Sequence, residues 1–237
     1  MSDTPLVSFV GVEKQYQALR PLRLAELRVE AGAVVSIAGI DAPGAEVLVN
    51  LMTAAVAPDT GEVRLFGRST SDIGDYESWL AMLDGLGLLT ERAVLLDQCT
   101  VAQNLALPLT LQIEPIAADV LPAVHALADE IGLDRGALDQ RVRDAAPEVV
   151  QRVRLGRAVA LNPRLIVAEH PSAALPRDAV TGFARDLARV VAGRKAALLS
   201  ISADRDFTKA LGGLALTLDP KSGALTRPGL LARLGLG

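Results

Sequence analysis

Short apolar runs and longer stretches with helical spacing alternate along this chain. The short runs are bounded by glycine, proline or acidic residues, a pattern typical of buried strands. They predict strands at residues 6–12, 22–29, 33–38, 62–66, 86–90, 165–168, 196–201, 214–218 and 224–226. Apolar spacing and helix-forming residues predict helices at 45–56, 113–131, 148–161 and 179–191. Strands that alternate with helices favour a mostly parallel sheet covered on both faces.

Two segments depart from this alternation. Residues 113–160 are predominantly helical in pattern and end at the stop signal Asn162-Pro163, so we interpret them as an inserted helical lobe. The last two predicted strands flank the turn at 219–223, which predicts a hairpin. The length allows one domain or two closely joined lobes, and the sequence shows no internal repeat and no flexible linker.

Composition excludes several functional classes. A chain of 237 residues can bury a large core unaided, and its single cysteine, Cys99, forms no internal disulfide, which suits a reducing compartment. Two histidines and one cysteine disfavour a zinc cluster. Because the net charge is −4 and aromatics make up 3%, we expect no nucleic-acid partner.

The sequence shows neither a targeting segment nor a membrane span. The start, residues 1–5, is acidic and lacks the basic-then-apolar layout of a signal peptide. The longest apolar runs, such as 33–40, fall short of the ~20 residues that a membrane helix needs. We therefore predict a cytoplasmic protein without direct membrane insertion, which could dock onto a membrane protein.

A glycine-bounded loop at 39–44 joins a predicted strand to a predicted helix, the layout of a phosphate-binding loop. No Lys, Arg or His occurs between residues 29 and 63, so we predict that a triphosphate would meet no cationic side chain there. We expect Glu46 in the first helical turn as a substitute for the missing anion, where a carboxylate stabilises a helix by ~0.3–1 kcal/mol. Asp41 would cap loop amides in the same way. The alternative is that both acids point into water.

Three further segments, at spacings that fit, give nearly the whole chain a resemblance to the ATP-binding-cassette (ABC) ATPases. Residues 57–67, Ala-Pro-Asp-Thr-Gly-Glu-Val-Arg-Leu-Phe-Gly, resemble the family's turn and strand after the first helix. Residues 100–109, which begin Thr-Val-Ala-Gln-Asn-Leu, resemble the segment after its glutamine loop, and 151–163 resemble the helix after its signature motif.

The resemblance implies an α/β fold of the P-loop NTPase type. It has a mostly parallel sheet flanked by helices, an N-terminal antiparallel β part and an inserted helical subdomain. The whole chain, 1–237, would be one cassette domain. Residues 1–90 and 162–237 would form the RecA-like core with the antiparallel part, and 91–161 the helical subdomain.

The positions that carry the family's chemistry hold other residue types. The phosphate-binding lysine corresponds to Ala45, the magnesium-binding hydroxyl to Glu46 and the glutamine to Glu91. The Walker B Asp-Glu pair corresponds to Glu169 and His170, and the switch histidine to Ala203. The signature falls on Ala-Ala-Pro-Glu-Val at 145–149 and the Ser-Ala-Leu-Asp loop on Ala-Ala-Leu-Pro at 173–176. The vestigial nucleotide site is Tyr16, Gly39, Ile40, Asp41, Ala42, Pro43, Gly44, Ala45 and Glu46.

Two residues keep alternative interpretations. Tyr16 aligns with the family's adenine-stacking aromatic, but could equally be a packed or exposed tyrosine. His170 stands where a catalytic base would be, although without a held phosphate a structural role is the better interpretation.

The resemblance therefore implies a non-hydrolysing pseudo-ATPase that is a structural or regulatory transporter subunit. We expect no catalytic residue, no metal site and no cofactor. The partners would be a membrane permease subunit, another cassette, or a second copy in a homodimer, which would hold the protein at the inner face of the cell membrane. One alternative is a divergent ATPase that still binds ATP and Mg²⁺ and slowly hydrolyses ATP. Another is a free-standing adaptor that uses the cassette surface to bind proteins.

Overall fold

The computed structural model describes residues 4–227. Residues 1–3, which carry part of the predicted acidic start, lie outside the described residues, as do 228–237 at the end of the predicted cassette domain. Within the described part, no helix is both long enough and apolar enough to span a lipid bilayer.

The described residues form ten strands and seven α-helices. The strands are β1 (Val7–Lys14), β2 (Leu22–Val29), β3 (Val34–Ala38), β4 (Thr60–Leu65), β5 (Arg68–Ser69), β6 (Leu86–Leu89), β7 (Leu165–Glu169), β8 (Ala197–Ile201), β9 (Leu214–Leu218) and β10 (Leu225–Thr226). The helices are α1 (Ala42–Met52), α2 (Tyr76–Leu83), α3 (Val101–Ala106), α4 (Leu121–Glu130), α5 (Pro147–Val159), α6 (Arg177–Gly193) and α7 (Arg205–Leu211).

The strands form two sheets. One is antiparallel, in the order β2-β1-β4-β5, and the other has six strands in the order β10-β9-β3-β8-β7-β6. Every neighbouring pair in the second sheet is parallel except the hairpin of β9 and β10. The predicted fold class, with its N-terminal antiparallel part, parallel core and final hairpin, is confirmed.

Strands β7 and β8 are buried along their whole length, which explains why their sequences are continuous apolar runs. Alternate residues of each strand enter two hydrophobic clusters. Leu165 and Val167 join α1 and the antiparallel sheet on one face, whereas Ile166 and Ala168 join α5, α6 and the helical lobe on the other.

The prediction of one helix over 113–131 is wrong. Only Leu121–Glu130 is helical, and residues 113–120 form turns with an isolated bridge between Ile113 and Ile116. Pro115 lacks an amide hydrogen and cannot sit inside a helix without loss of a hydrogen bond. The alanine- and leucine-rich composition therefore overstated the helix.

Three short helices were not predicted, because six to eight residues give too little apolar periodicity to detect. Each begins at a polar residue whose side chain accepts hydrogen bonds from amides of its first turn. The caps are Asp75 for α2, Thr100 for α3 and Asp204 for α7.

Candidate functional site

The loop before α1, the end of β7 and the segment after β6 meet at the carboxyl edge of the parallel strands, where ligands of open α/β sheets commonly bind. Glu46 comes from α1, Glu169 ends β7 and Arg92 follows β6. The structure thus brings together two of the predicted positions and one residue that was not predicted.

The start of α1 leaves little room for an anion. Asp41 is the N-cap, and its Oδ1 accepts a hydrogen bond from the Gly44 amide at 2.9 Å, which confirms the predicted cap. The amide of Ala45 donates to the Asp41 carbonyl at 2.8 Å, and Pro43 has no amide hydrogen. Most of the amides that a phosphate would use at a helix N-terminus are therefore engaged or missing.

Glu46 does not lie in the first turn, so that prediction is wrong. The helix begins at Ala42, earlier than expected, which makes Glu46 its fifth residue and leaves the first turn without an acid. Its carboxylate pairs with Arg92, with Oε1 3.2 Å from Nη1. Glu46 therefore interacts with a cation instead of substituting for an anion at the loop amides.

Arg92 also binds Glu169. Its Nη2 donates to both carboxylate oxygens of Glu169, at 2.8 and 3.0 Å. Glu169 is 8% exposed and Arg92 is 40% exposed, so the guanidinium neutralises a buried carboxylate and reaches solvent on its other side. We call the set Glu46, Arg92 and Glu169 the Arg92 bridge. The prediction of a site without a cationic side chain is wrong, because a distant segment supplies one.

The sequence contains no local signal for Arg92. It lies 77 residues from Glu169 and next to Glu91, the position that the alignment singled out. Glu91 is exposed and forms no ion pair with any residue in the described part of the chain. Residues 90–93 form a turn in which the Thr90 carbonyl accepts a hydrogen bond from the Ala93 amide, and this turn directs Arg92, the neighbour of the predicted position, to the site.

Tyr16 is half-buried and packs against the cluster that contains α1. Its hydroxyl donates to Asp41 Oδ1 at 3.5 Å, and a Cβ built on Gly44 would lie 3.3 Å from the same hydroxyl. Burial, followed by the charge and the hydrogen bond of Asp41, raises the pKa of Tyr16. These contacts favour the interpretation as a packed tyrosine that covers the loop. The role of Tyr16 as an adenine platform stays a prediction.

The loop glycines have structural reasons of their own. Gly39 has a φ of +87°, and a Cβ there would lie 2.8 Å from the Leu218 carbonyl oxygen. Ile40 and Ala45 are buried in the core, at 6% and 0% exposure. A phosphate-binding lysine at position 45 would reach into the site. Ala45 instead contributes only to the packing of the core.

His170 follows Glu169 in a left-handed conformation, with a φ of +42°. Its amide donates to the Ile201 carbonyl at 2.8 Å, but its buried Nε2 has no hydrogen-bond partner within residues 4–227. The ring lines a cavity of about 250 Å³ together with Ala203, Ser172 and Asp204. Ser172 donates its hydroxyl to Asp204 Oδ2 at 3.1 Å and not to His170, so no base–nucleophile pair is formed here.

The segment at the signature position starts a helix. Pro147 is the first residue of α5, and Ala146 precedes it without a side-chain cap. Further along, Arg152 pairs with Asp186 at 2.7 Å, and Arg157 donates to the Val94 carbonyl at 2.6 Å. Two of the arginines of this helix therefore tie it to neighbouring segments.

Comparison with known proteins finds curated relatives over most of the chain, although no protein-family model matches it. A phosphonates import ATP-binding protein of Anaeromyxobacter dehalogenans is 28% identical over 94% of this chain and 47% of the relative. An Fe(3+) ions import ATP-binding protein of Serratia marcescens is 27% identical over 92% and 61%. A lipoprotein-releasing system ATP-binding protein of Psychrobacter arcticus is 27% identical over 77% and 80%. The chain thus spans about half to three fifths of the length of the first two relatives.

Solved structures share the fold. A dimeric ATP-binding cassette bound to ADP and Pi superposes with a TM-score of 0.74 at 20% identity, over 93% of this chain and 97% of that one. CbiO1 of Clostridium perfringens, part of an ABC transporter complex, gives 0.76 at 13% identity, over 94% and 88%.

Proposed function

The chain belongs to the ATP-binding-cassette (ABC) transporter ATPase family, and from that premise we propose that it is a catalytically inactive pseudo-ATPase subunit of a transporter complex. The observation that carries this proposal is the Arg92 bridge. Glu46 stands at the family's magnesium-binding hydroxyl and Glu169 at its Walker B aspartate. The guanidinium of Arg92 lies between them, within 3.2 Å of both carboxylates.

Magnesium and a triphosphate do not fit these residues. Ala45 has no charge for a phosphate, and the two carboxylates that could hold a cation already share one. A nucleotide would have to displace Arg92 and leave Glu169 buried beside the polyphosphate. An unpaired buried group costs about 1–3 kcal/mol, and more when it is charged. We therefore derive no hydrolytic step for this chain.

Thermal unfolding with and without millimolar Mg-ATP tests nucleotide binding. A ligand at one hundred times its Kd stabilises by ~2.7 kcal/mol, and each kcal/mol raises Tm by ~2–4 °C in a protein of this size. We expect the Tm of the natural protein to stay the same. A shift of several degrees, or magnesium-dependent ATP turnover that is lost in Glu169→Gln, would overturn the proposal in favour of a divergent ATPase.

Restoring the family residues tests the part played by Arg92. We expect the variant Ala45→Lys, Glu46→Ser, Arg92→Ala to gain an ATP-dependent rise in Tm. The matched control, Ala45→Lys, Glu46→Ser, Arg185→Ala, keeps Arg92 and removes an exposed arginine of α6 that has no ion pair among the described residues. Equal gains in the two variants would show that Arg92 is not the obstacle.

We further propose a membrane permease subunit as the partner, with a second cassette or a second copy beside it. The relatives are by name ATP-binding proteins of import and release systems, and one structural neighbour is a dimer. We assign the permease contact to the neighbourhood of Leu111, which is 92% exposed at the edge of the helical lobe.

Co-purification from detergent-solubilised membranes tests this partner. We expect the tagged chain to retain a membrane permease subunit, and Leu111→Glu to release that permease without a change in Tm. Leu19→Glu is the matched control, because Leu19 is fully exposed in a different part of the molecule. Release by both variants, or no membrane partner at all, would favour the free-standing adaptor instead.

A further inference from the structure

A cavity of about 500 Å³ lies at the opposite end of the parallel strands from the Arg92 bridge. It opens where β6 and β7 begin, beside the β4–β5 turn and the end of α2. The amides of Arg164 and Leu165 both donate to the Gly85 carbonyl, at 2.9 and 3.1 Å, which fixes the backbone of its inner wall. This position separates it from the nucleotide site, so an occupant here is independent of the function proposed above.

Phe66 forms an apolar surface in this cavity and is held there by an uncommon backbone. Phe66 and Gly67 occupy the β4–β5 turn with φ values of +52° and +82°, as a two-residue hairpin of the I′ type requires. A phenylalanine at positive φ is rare and strained. The ring packs so closely on Gly85 that a Cβ added to this glycine would lie 2.7 Å from Phe66 Cε2. Glycine at position 85 thus allows the ring to take this place.

Arg164 lies on the same ring. Its Cζ is 4.7 Å from the centroid of Phe66, a distance at which the ring face attracts a guanidinium. This contact orients the planar guanidinium but uses none of its N–H donors. The donors therefore remain available to a ligand.

A second arginine, Arg68, lines the same cavity. Both arginines are exposed, and neither forms an ion pair or a side-chain hydrogen bond with any residue from 4 to 227. Asn162 contributes an amide to the lining, and Met82, which is 4% exposed, adds apolar surface. The lining holds one acid, Asp84, so its formal charge with the two arginines is +1, and a second acid, Asp75 at the N-cap of α2, lies near Arg68 outside the lining.

We propose that this cavity binds a small phosphate monoester. Two guanidinium groups with free donors match a doubly charged phosphoryl group, since arginine donates to such oxyanions in pairs. The apolar surface of Phe66 and Met82 would contact the organic part of the ligand. Asp84 weakens the binding of any anion through its own charge.

Titration calorimetry with phenyl phosphate, inorganic phosphate and phenol tests the proposal. We expect phenyl phosphate to bind more tightly than inorganic phosphate, and phenol not to bind. Arg68→Gln and Arg164→Gln should each weaken the binding of phenyl phosphate by roughly tenfold, as expected for a lost charged hydrogen-bond donor. Arg185→Gln, a change at an exposed arginine far along the chain in α6, should leave the Kd unchanged.

The variant Asp84→Asn supplies a test in which the proposal predicts tighter binding instead of weaker binding. Removal of the negative charge should tighten phenyl phosphate binding by about two- to fivefold at low salt, and the gain should shrink as salt is added. Equal affinity for phenyl and inorganic phosphate would limit the site to the free anion and overturn the monoester assignment. No binding by the natural protein, or no response to Arg68→Gln and Arg164→Gln, would overturn the site itself.

Discussion

At the residue scale, one guanidinium decides the state of the candidate site. Glu46 and Glu169 would otherwise place two carboxylates next to each other, and Arg92 binds both. Glu169 is the buried member, so of the two acids it has the least contact with water and is the more dependent on this ion pair. Under the proposed function, the replacement of the family's catalytic residues is therefore accompanied by a new set of ion pairs.

A double-mutant cycle measures this interaction. Arg92→Ala leaves Glu169 buried without its cation, and we expect the free energy of unfolding to fall by about 1–3 kcal/mol. Glu169→Gln removes the charge, so the double variant should be more stable than the sum of the single effects predicts, by about 1 kcal/mol. Chemical denaturation of the four proteins gives these values, with Arg185→Ala as the control. Additive effects would contradict a direct pairing in solution.

At the element scale, an ion-pair network joins the helical lobe to the core. Asp186 of α6 receives hydrogen bonds from Arg152 of α5 and Arg189 of its own helix, and Arg152 also donates to the Ile131 carbonyl after α4. Burial alone would raise the pKa of Asp186, but the hydrogen bonds and charges of the two arginines outweigh it and lower the pKa. Arg152 and Asp186 together thus connect three helices.

The lowered pKa of Asp186 predicts a specific dependence of stability on pH. The contribution is fully present above the ordinary carboxyl pKa of about 3.9 and is lost as pH falls through the lowered folded value. We expect Asp186→Asn to cost about 1–2 kcal/mol at neutral pH and progressively less below pH ~4. Urea unfolding from pH 7 to pH 2.5 checks this. Asp119→Asn, at an exposed loop aspartate without an ion pair in the described chain, is the control. A pH-independent difference would exclude the charge as its cause.

At the scale of the whole molecule, the two hydrophobic clusters share the central sheet. Strands β7 and β8 contribute alternate residues to each cluster. Both clusters therefore depend on the same two strands. The glycine at 87 adds a close contact, because a Cβ there would lie 2.2 Å from the Ala158 carbonyl oxygen of α5. The helical lobe and the core therefore pack against the same strands of the central sheet.

We expect a single cooperative unfolding transition. The fluorescence of Trp79, the chain's one tryptophan, reports the cluster that contains α1, and far-UV ellipticity reports all helices. Their thermal transitions should coincide, and the calorimetric and van't Hoff enthalpies should agree. Two separate transitions would mean that the helical lobe unfolds independently, and the proposal of one domain over 1–237 would fail.

Much of the fold could be predicted from the sequence because its signals are local. The runs that became β3, β7 and β8 are continuous and apolar, as strands buried on both faces must be. Asp41 followed by Pro43 is also a local signal for a helix start, although the prediction placed that start three residues late. The segment 113–120 was missed because its composition favours helix and a single proline opposes it.

The sequence by itself determined that the loop at 39–46 has no lysine, and the resemblance to the family predicts that the signature and the Walker B pair are missing as well. These absences are properties of single positions and need no coordinates. Only the tertiary structure decided what fills their place. The Arg92 bridge joins residues separated by 46 and 77 positions, and no periodic pattern connects them. The three residues meet because the parallel strands place their carboxyl ends at one edge of the sheet, and this arrangement exists only in the folded protein.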